Sequence, residues 1–471
     1  MKEKNKKQVN ESSKSQIRPF GMRDKIGYLL GDVGNDFPFQ FTNMYLMIFY
    51  TKVLGISPAL VGTLFLVSRL LDAFTDIGMG MLIDKSKPGK DGKFIPWIRK
   101  FSGPFAISTF LMYQSSLASA SMTIKVIYMF ATYILWGSVF YTITNIPYGS
   151  MASVITADPV ERTSLSTFRN LGATVAGMTI GIIAPQVIYY TDAAGNQIIN
   201  PTNVTIIAGV FSLLSFLAYF SCCKLCTERV KVENENKEKV SIFKNLGILI
   251  KNKALISVIV SSIVILLGGF VGQTLNQYLF IDYFQSKDAL SILSVVSMPV
   301  GLIAAALSVK FVRKFGKKAV SAVSLLFTGA LFILLYVMKV KNAWVYIGIY
   351  AVSQFGNMLF NMITYANITD VIDYNEILTG KRDDATIYAL YSFARKLGQA
   401  FAGGIGGFAL GFIGYNSEVA VQTEAVTSGI YTMSTLLVGV FFIIAGLIFA
   451  FAYPLSKKVV EENAAKLAEM R

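Results

Sequence analysis

Two aspartates four residues apart, Asp72 and Asp76, lie inside an apolar stretch reading Val67-Ser-Arg69-Leu-Leu-Asp72-Ala-Phe-Thr75-Asp76. In a helix this spacing puts both carboxylates on one face, with Arg69 on the same stripe. Two close carboxylates repel, so the pair either retains a proton or recruits a cation. Both outcomes suit a coupling site: a shared proton, or a sodium ion held by the carboxylate oxygens. The competing reading is a static ion pair in which Arg69 neutralises one aspartate, but one arginine does not balance two. A charge in the middle of a membrane span costs roughly 2.5–3.5 kcal/mol on insertion scales, so such residues face a protein interior or a water-filled cavity.

Other polar residues sit at similar depth. Asp32 and Asp36 are again four apart, in Gly31-Asp-Val-Gly-Asn35-Asp36, among glycines that permit close helix approach or local unwinding. Asp32 also fits a solvated position near the membrane surface. A further stretch, Tyr141-Thr142-Ile-Thr-Asn145-Ile-Pro147-Tyr148-Gly149, combines hydroxyls and an amide with a proline that frees a backbone carbonyl. Such groups coordinate an ion or a sugar, or simply join helices. Arg169, Arg395 and Lys396 are additional intramembrane cations, while Asp370 and Asp373 are expected at a membrane edge, either solvated or in a gating ion pair with Arg169, Lys381 or Arg382.

These residues need helices to hold them. Of 471 residues, 54% are hydrophobic and 15% charged, and the mean hydropathy is +0.54. A water-soluble chain carries nearer a quarter charged residues. Apolar runs long enough to cross a bilayer recur along the whole length. The pattern predicts an all-α membrane protein of about twelve spans, near 22–51, 58–84, 99–119, 124–149, 165–190, 203–226, 253–284, 288–311, 317–338, 342–373, 384–415 and 428–455. The net charge of +15 comes from Lys and Arg concentrated in the N-terminal tail, the 2–3, 6–7 and 8–9 loops and the C-terminal tail. That is a positive-inside pattern, which puts both termini in the cytoplasm and argues against nucleic acid as a partner. Basic loops recur at 2–3 and 8–9, as expected of two related six-helix halves. The implied organisation is a tail (1–21), a first bundle (22–226), a middle loop (227–252), a second bundle (253–455) and a tail (456–471). The first 19 residues lack an apolar core with a cleavage site and read as a tail rather than a cleaved signal.

The absence of histidine excludes imidazole-based catalysis, metal binding and proton relay. Cys222, Cys223 and Cys226 cluster at the end of one span, with no second pair to complete a zinc site. No enzymatic chemistry and no cofactor are expected.

Taken together, Gly31-Asp-Val-Gly-Asn-Asp36, Met44-Tyr-Leu-Met, Val61 to Asp76, Lys93-Phe-Ile-Pro-Trp97, Asn145-Ile-Pro-Tyr-Gly149 and Asp370-Val-Ile-Asp373-Tyr374 resemble the glycoside–pentoside–hexuronide:cation symporters, whose best-known member is the melibiose carrier. The match runs in order from about residue 24 to 455. It implies a major facilitator fold in the inner (plasma) membrane that moves a sugar or glycoside with Na+, Li+ or H+, functioning as a monomer. By this resemblance Asp72, Asp76, Thr75 and Thr142 are the cation site. Asp36, Asn35, Tyr141, Asn145, Gly149, Arg169, Asn361, Ser392 and Lys396 fall to the sugar, and Arg69, Asp370 and Asp373 to gating. Departures from the melibiose carrier are Thr75 for an asparagine, Asn145 for an aspartate, and Gly149 and Asn361 for tryptophans. Losing both aromatic faces argues against melibiose, and the Asn-Ile-Pro-Tyr-Gly form is closer to glucuronide and xyloside members. Arg169 and Lys396 suit a uronate carboxylate. Sodium and proton both remain open. Alternatives are a sodium-dependent lysolipid carrier of the same fold, a membrane-embedded enzyme and a channel.

Overall fold

The computed structural model describes residues 18–89, 91–230, 252–380 and 384–470. Lys381 and Arg382, offered above as gating partners, lie outside them, as do the side chains of Asp84, Ser392 and Lys396. The chain is helical nearly throughout. Helix α1 runs Met22–Phe41 and continues through π-helical turns at Thr42–Leu46 and Phe49–Val53. It is followed by α2 (Pro58–Lys85), α3 (Ile95–Leu111), α4 (Met122–Ile155), α5 (Pro159–Ile188) and α6 (Pro201–Leu225). The second series is α7 (Lys253–Tyr283), α8 (Lys287–Phe315), α9 (Lys317–Met338), α10 (Ala343–Thr379), α11 (Asp384–Phe412) and α12 (Glu424–Ala452), with a final α13 (Lys457–Met470). A short antiparallel ribbon, Tyr189–Thr191 with Gln197–Ile199, joins α5 to α6.

Most boundaries follow local chemistry. Asp158 caps α5 by accepting from the Val160 and Glu161 amides, and Pro159 occupies the first turn. Helix α3 starts at Ile95 rather than 99 and stops at Leu111 rather than 119. Its start is fixed from outside: the Glu228 carboxylate accepts from the backbone amides of Lys93, Phe94 and Ile95. Helix α10 continues beyond 373 to Thr379, where Gly380 takes the left-handed conformation (φ 69°) that ends it.

Among the described residues, seven helices, α4 to α9 and α12, are long and apolar enough to cross a membrane. Helices α1, α2, α10 and α11 carry the intrahelical charges singled out above, which lower their hydropathy, and α3 is only 17 residues long.

Helix packing repeats with an offset of six. In the first series α1 packs on α5 and α6, α3 on α4 and α6, and α2 on α4. The second series repeats this, α7 packing on α11 and α12, α9 on α10 and α12, and α8 on α10. Between the two series the main contacts are α2 with α11 and α5 with α8, which the same offset exchanges. Glycine sets the closest of these approaches. A Cβ on Gly62 of α2 would lie 2.7 Å from the Gly404 carbonyl of α11, nearer than side chains allow.

One buried acid anchors the end of the bundle where the chain enters α1 and leaves α6. Asp24 is fully buried, and its two oxygens receive Arg18 (2.7 Å) and Arg229 (2.9 Å). Arg229 also donates to the carbonyls of Arg18 and Ile155, joining α4, α6 and the segment before α1. Breaking a buried pair by deleting one partner costs about 3–5 kcal/mol. We expect Asp24→Ala to lower the thermal unfolding midpoint of the purified protein by several degrees, measured by intrinsic fluorescence; an unchanged midpoint would show that the cluster does not hold these segments.

Candidate functional site

Helices α1, α2, α4 and α5 bring most of the sequence-derived residues together, in two adjoining clusters. The first joins α2 to α4. Ser138 Oγ donates to Asp72 Oδ1 (2.6 Å), and Thr142 Oγ1 donates to Asp76 Oδ1 (3.0 Å). Two hydroxyls four residues apart thus face two carboxylates four residues apart. The helix between them is irregular: Leu135–Tyr141 is π-helical, and Thr142 Oγ1 also lies 3.3 Å from the Gly137 carbonyl. A π-helical turn widens the backbone and loosens the ordinary i→i−4 hydrogen bonding, and such turns recur at functional sites.

Arg69 lies beside this cluster. Its guanidinium reaches Asp72 Oδ2 (3.4 Å) and Asn43 Oδ1 (3.5 Å), and sits over the Phe39 ring at 5.5 Å. Arg69 thus lies beside Asp72, on the stripe where the sequence spacing put it. Thr75 lies on α2 between the carboxylates, but its hydroxyl donates to the Asp72 carbonyl of its own helix (3.2 Å).

The second cluster is built on α1. Asp36 accepts from Gln40 Nε2 (2.8 Å) on one oxygen and from Asn35 Nδ2 (3.1 Å) on the other. Asn35 accepts from the Tyr219 hydroxyl of α6 (3.0 Å) and reaches the Tyr141 hydroxyl of α4 at 3.5 Å. Gln40 also donates to the Ala173 carbonyl of α5 (2.9 Å). Phe39 and Tyr141 stack at 5.3 Å, so an aromatic pair stands between the carboxylates of α2 and the Asp36 network. Asn145 follows Tyr141 by one turn of α4, and at Gly149 a Cβ would meet open space.

Asp32 is not a solvated surface residue. Its side chain is 3% exposed and bonded to Arg169 Nε at 3.0 Å. The reason is close packing of α1 on α5: at Gly172 the Leu29 carbonyl and the Asp32 side chain leave no room for a Cβ. Arg169 also lies over the Tyr148 ring (5.4 Å), and Tyr148 donates to the Tyr28 carbonyl and stacks on that ring. The Arg169 side chain as a whole remains 41% exposed.

Residues of α10 stand apart from both clusters. Asp370 is 6% exposed and paired with Lys317 of α9 at 2.6 Å, not with Arg169, because α9 packs along α10 within the same series. Asn361 is exposed and bonded to Asn357 of its own helix.

Sequence reasoning missed Ser138, Gln40 and Tyr219. Two of them carried a signal: Ser138 is four residues before Thr142, and Gln40 four after Asp36, so each shares a face with a residue already singled out. Tyr219 lies in an otherwise apolar helix and carried none.

The described family of sugar-transport proteins of the major facilitator type matches residues 27–457. An uncharacterised symporter of Bacillus subtilis (strain 168) is 30% identical over 437 residues, covering 92% of this chain and 93% of its own. The glucuronide carrier protein homologue of Escherichia coli (strain K12) is also 30% identical, covering 93% and 94%. A putative glycoside/cation symporter of the same strain is 29% identical, covering 87% of each chain. The fold is similar to a crystal structure of a bacterial homologue of the human lysosomal transporter Spinster, with a TM-score of 0.64 at 13% identity over 94% of this chain and 97% of that one.

If the hydroxyl on Asp72 is part of the working site, Ser138→Ala should weaken apparent cation affinity about fivefold, the equivalent of ~1 kcal/mol for one hydrogen bond. Cation titration of solute binding measures this. An unchanged titration would leave Ser138 a packing residue.

Proposed function

Because the chain belongs to the sugar-transport family of the major facilitator fold, a family of multi-pass membrane transporters and not of enzymes, we propose that it moves a sugar or glycoside together with a monovalent cation by alternating access. The proposed arrangement is twelve transmembrane helices in two six-helix bundles, 22–226 and 253–455, in the plasma membrane with both termini cytoplasmic. The sixfold offset in packing supports two related bundles. The basic segments support the orientation.

The observation that carries the coupling role is the pairing of Asp72 and Asp76 with the hydroxyls of Ser138 and Thr142. Carboxylates and neutral oxygens suit a hard cation. Neutral oxygens contribute to binding a metal ion more directly than to binding a proton, which favours sodium or lithium. Thr75, engaged with its own helix, is the weakest candidate ligand of the four drawn from the resemblance.

Solute is proposed to bind beside this site, to Asp36, Asn35, Tyr141 and Asn145, with Arg169 at one edge. A neutral sugar's hydroxyls can replace the Gln40 and Asn35 donors on Asp36. The partly exposed Arg169 side chain suits a carboxylate, so a glucuronide or similar acidic glycoside is the preferred substrate, in keeping with the similarity to a glucuronide carrier homologue. Contacts between the two series gather at one end: Thr51 with Tyr278, Ser417 with the Ile56 carbonyl, Gln186 with Asp288, and Lys287 with the Tyr189 carbonyl. That end lies opposite the basic segments, so this conformation is assigned as inward-facing.

Uptake and counterflow in membrane vesicles test the reading, across glycosides, glucuronides, xylosides and lysolipids, with and without sodium at constant pH. A glycoside or glucuronide should accumulate in a sodium-dependent manner, and Asp76→Cys should abolish accumulation against the gradient. Normal uphill uptake by that variant would sink the coupling assignment, and lysolipid uptake alone would replace the substrate class.

A further inference from the structure

The last turns of α1 and α7 carry a charge pair. Lys52 Nζ donates to Asp282 Oδ1, with the two side chains 6% and 3% exposed. Tyr415, just beyond α11, donates to the other Asp282 oxygen at 3.3 Å. Beside the pair, the Thr51 and Tyr278 hydroxyls are 2.8 Å apart. Lys125 of α4 braces the same corner by donating to the Leu54 carbonyl (2.9 Å).

The placement follows the repeat. Helix α1 ends in the π-helical turn Phe49–Val53 and α7 in the π-helical turn Leu279–Tyr283. Lys52 and Asp282 are each the fourth residue of their turn. Related positions in the two series meet at one point, and there the chain has opposite charges. A like pair would repel, and an apolar pair would not need to part into water.

We propose that Lys52 and Asp282 form the outer latch of the transporter, joining the two bundles when the inward side is open and separating each time the outer side opens to admit solute. The asymmetry between the two states gives the latch its effect. With this end closed, each charge is buried and depends on the other. With it open, each is hydrated and needs no partner. Deleting one charge therefore penalises the closed state far more than the open one. Deleting both, with apolar side chains of similar volume, removes the penalty. Tyr415 positions the carboxylate by holding its second oxygen.

The inference rests on the alternating-access reading, but its test needs no solute. Spin labels are attached at Ser121 and Lys341, exposed residues before α4 and α10 at the latched end, in full-length protein in lipid nanodiscs, with Cys222, Cys223 and Cys226 replaced by alanine. The distance distribution of this background should have one dominant short component. Asp282→Leu or Lys52→Met alone should raise a longer component at least fivefold, and the double variant should return the short one. If the single variants do not fold, the exchanged pair Lys52→Asp with Asp282→Lys carries the comparison and should match the background. A single variant with an unchanged distribution, or a double or exchanged variant as open as the singles, would overturn the latch. Failure of the sugar-symport reading would appear instead in vesicle uptake, with these distances still responding as stated.

Discussion

Asp32, Asp36, Asp72 and Asp76 sit within the apolar runs of the first two helices, and each needs a polar partner there. A buried charge without one is costly enough to unfold a protein or to change its protonation. Neighbours on the same helix or on α4 and α5 answer that requirement: Arg169 on Asp32, Gln40 and Asn35 on Asp36, Arg69 and Ser138 on Asp72, and Thr142 on Asp76. The close approach of α1 to α5 at Gly172 and the widened turn of α4 both serve these pairings. The partners are not equal. Asp32 has the Arg169 guanidinium and Asp72 has Arg69, while the neutral donors Gln40 and Asn35 serve Asp36, and Thr142 donates to Asp76. In the proposed function the cation binds at the paired aspartates of α2.

That location matters because the two clusters are mechanically continuous. Arg69 lies on Phe39, Phe39 stacks on Tyr141, and Tyr141 reaches Asn35, which bonds to Asp36. In the proposed mechanism, an ion arriving at Asp72 and Asp76 would compete with Arg69 for the carboxylate oxygens, and a shift of the guanidinium would be felt by the ring beneath it. A solute displacing Gln40 or Asn35 from Asp36 would act on the same chain from the other side. This is a physical basis for interdependent binding in which each ligand prefers the arrangement the other stabilises.

Much of this was legible in the sequence. Apolar runs and their charged interruptions located the helices, since α2 was expected at 58–84 and is found at Pro58–Lys85. Intrahelical charges drew attention to α1 and α2, and hydroxyls, an amide and a proline to α4. What stayed hidden depends on contact across helices. Asp32 looked like a surface residue because its partner lies 137 positions away and one turn of glycine packing decides whether it is reached. The Lys52–Asp282 contact joins residues 230 apart, near the ends of two separate spans, and no local spacing links them. Local spacing finds residues that share a face; it does not reveal which face meets which.

The central claim is that ion and sugar sites are coupled, and thermodynamic linkage tests it most directly. Calorimetric titration of the purified protein with a glucuronide at fixed pH, in the presence and absence of saturating sodium, gives the factor by which the ion tightens sugar binding. Titration of the ion, with and without sugar, must return the same factor, because coupling free energies between binding sites are reciprocal. The account predicts a factor on the order of 5–150, typical of coupled sites, reduced to one when Asp72 is replaced by asparagine. Sugar binding that is unchanged by sodium in the native protein, at any pH in which it remains folded, would contradict it.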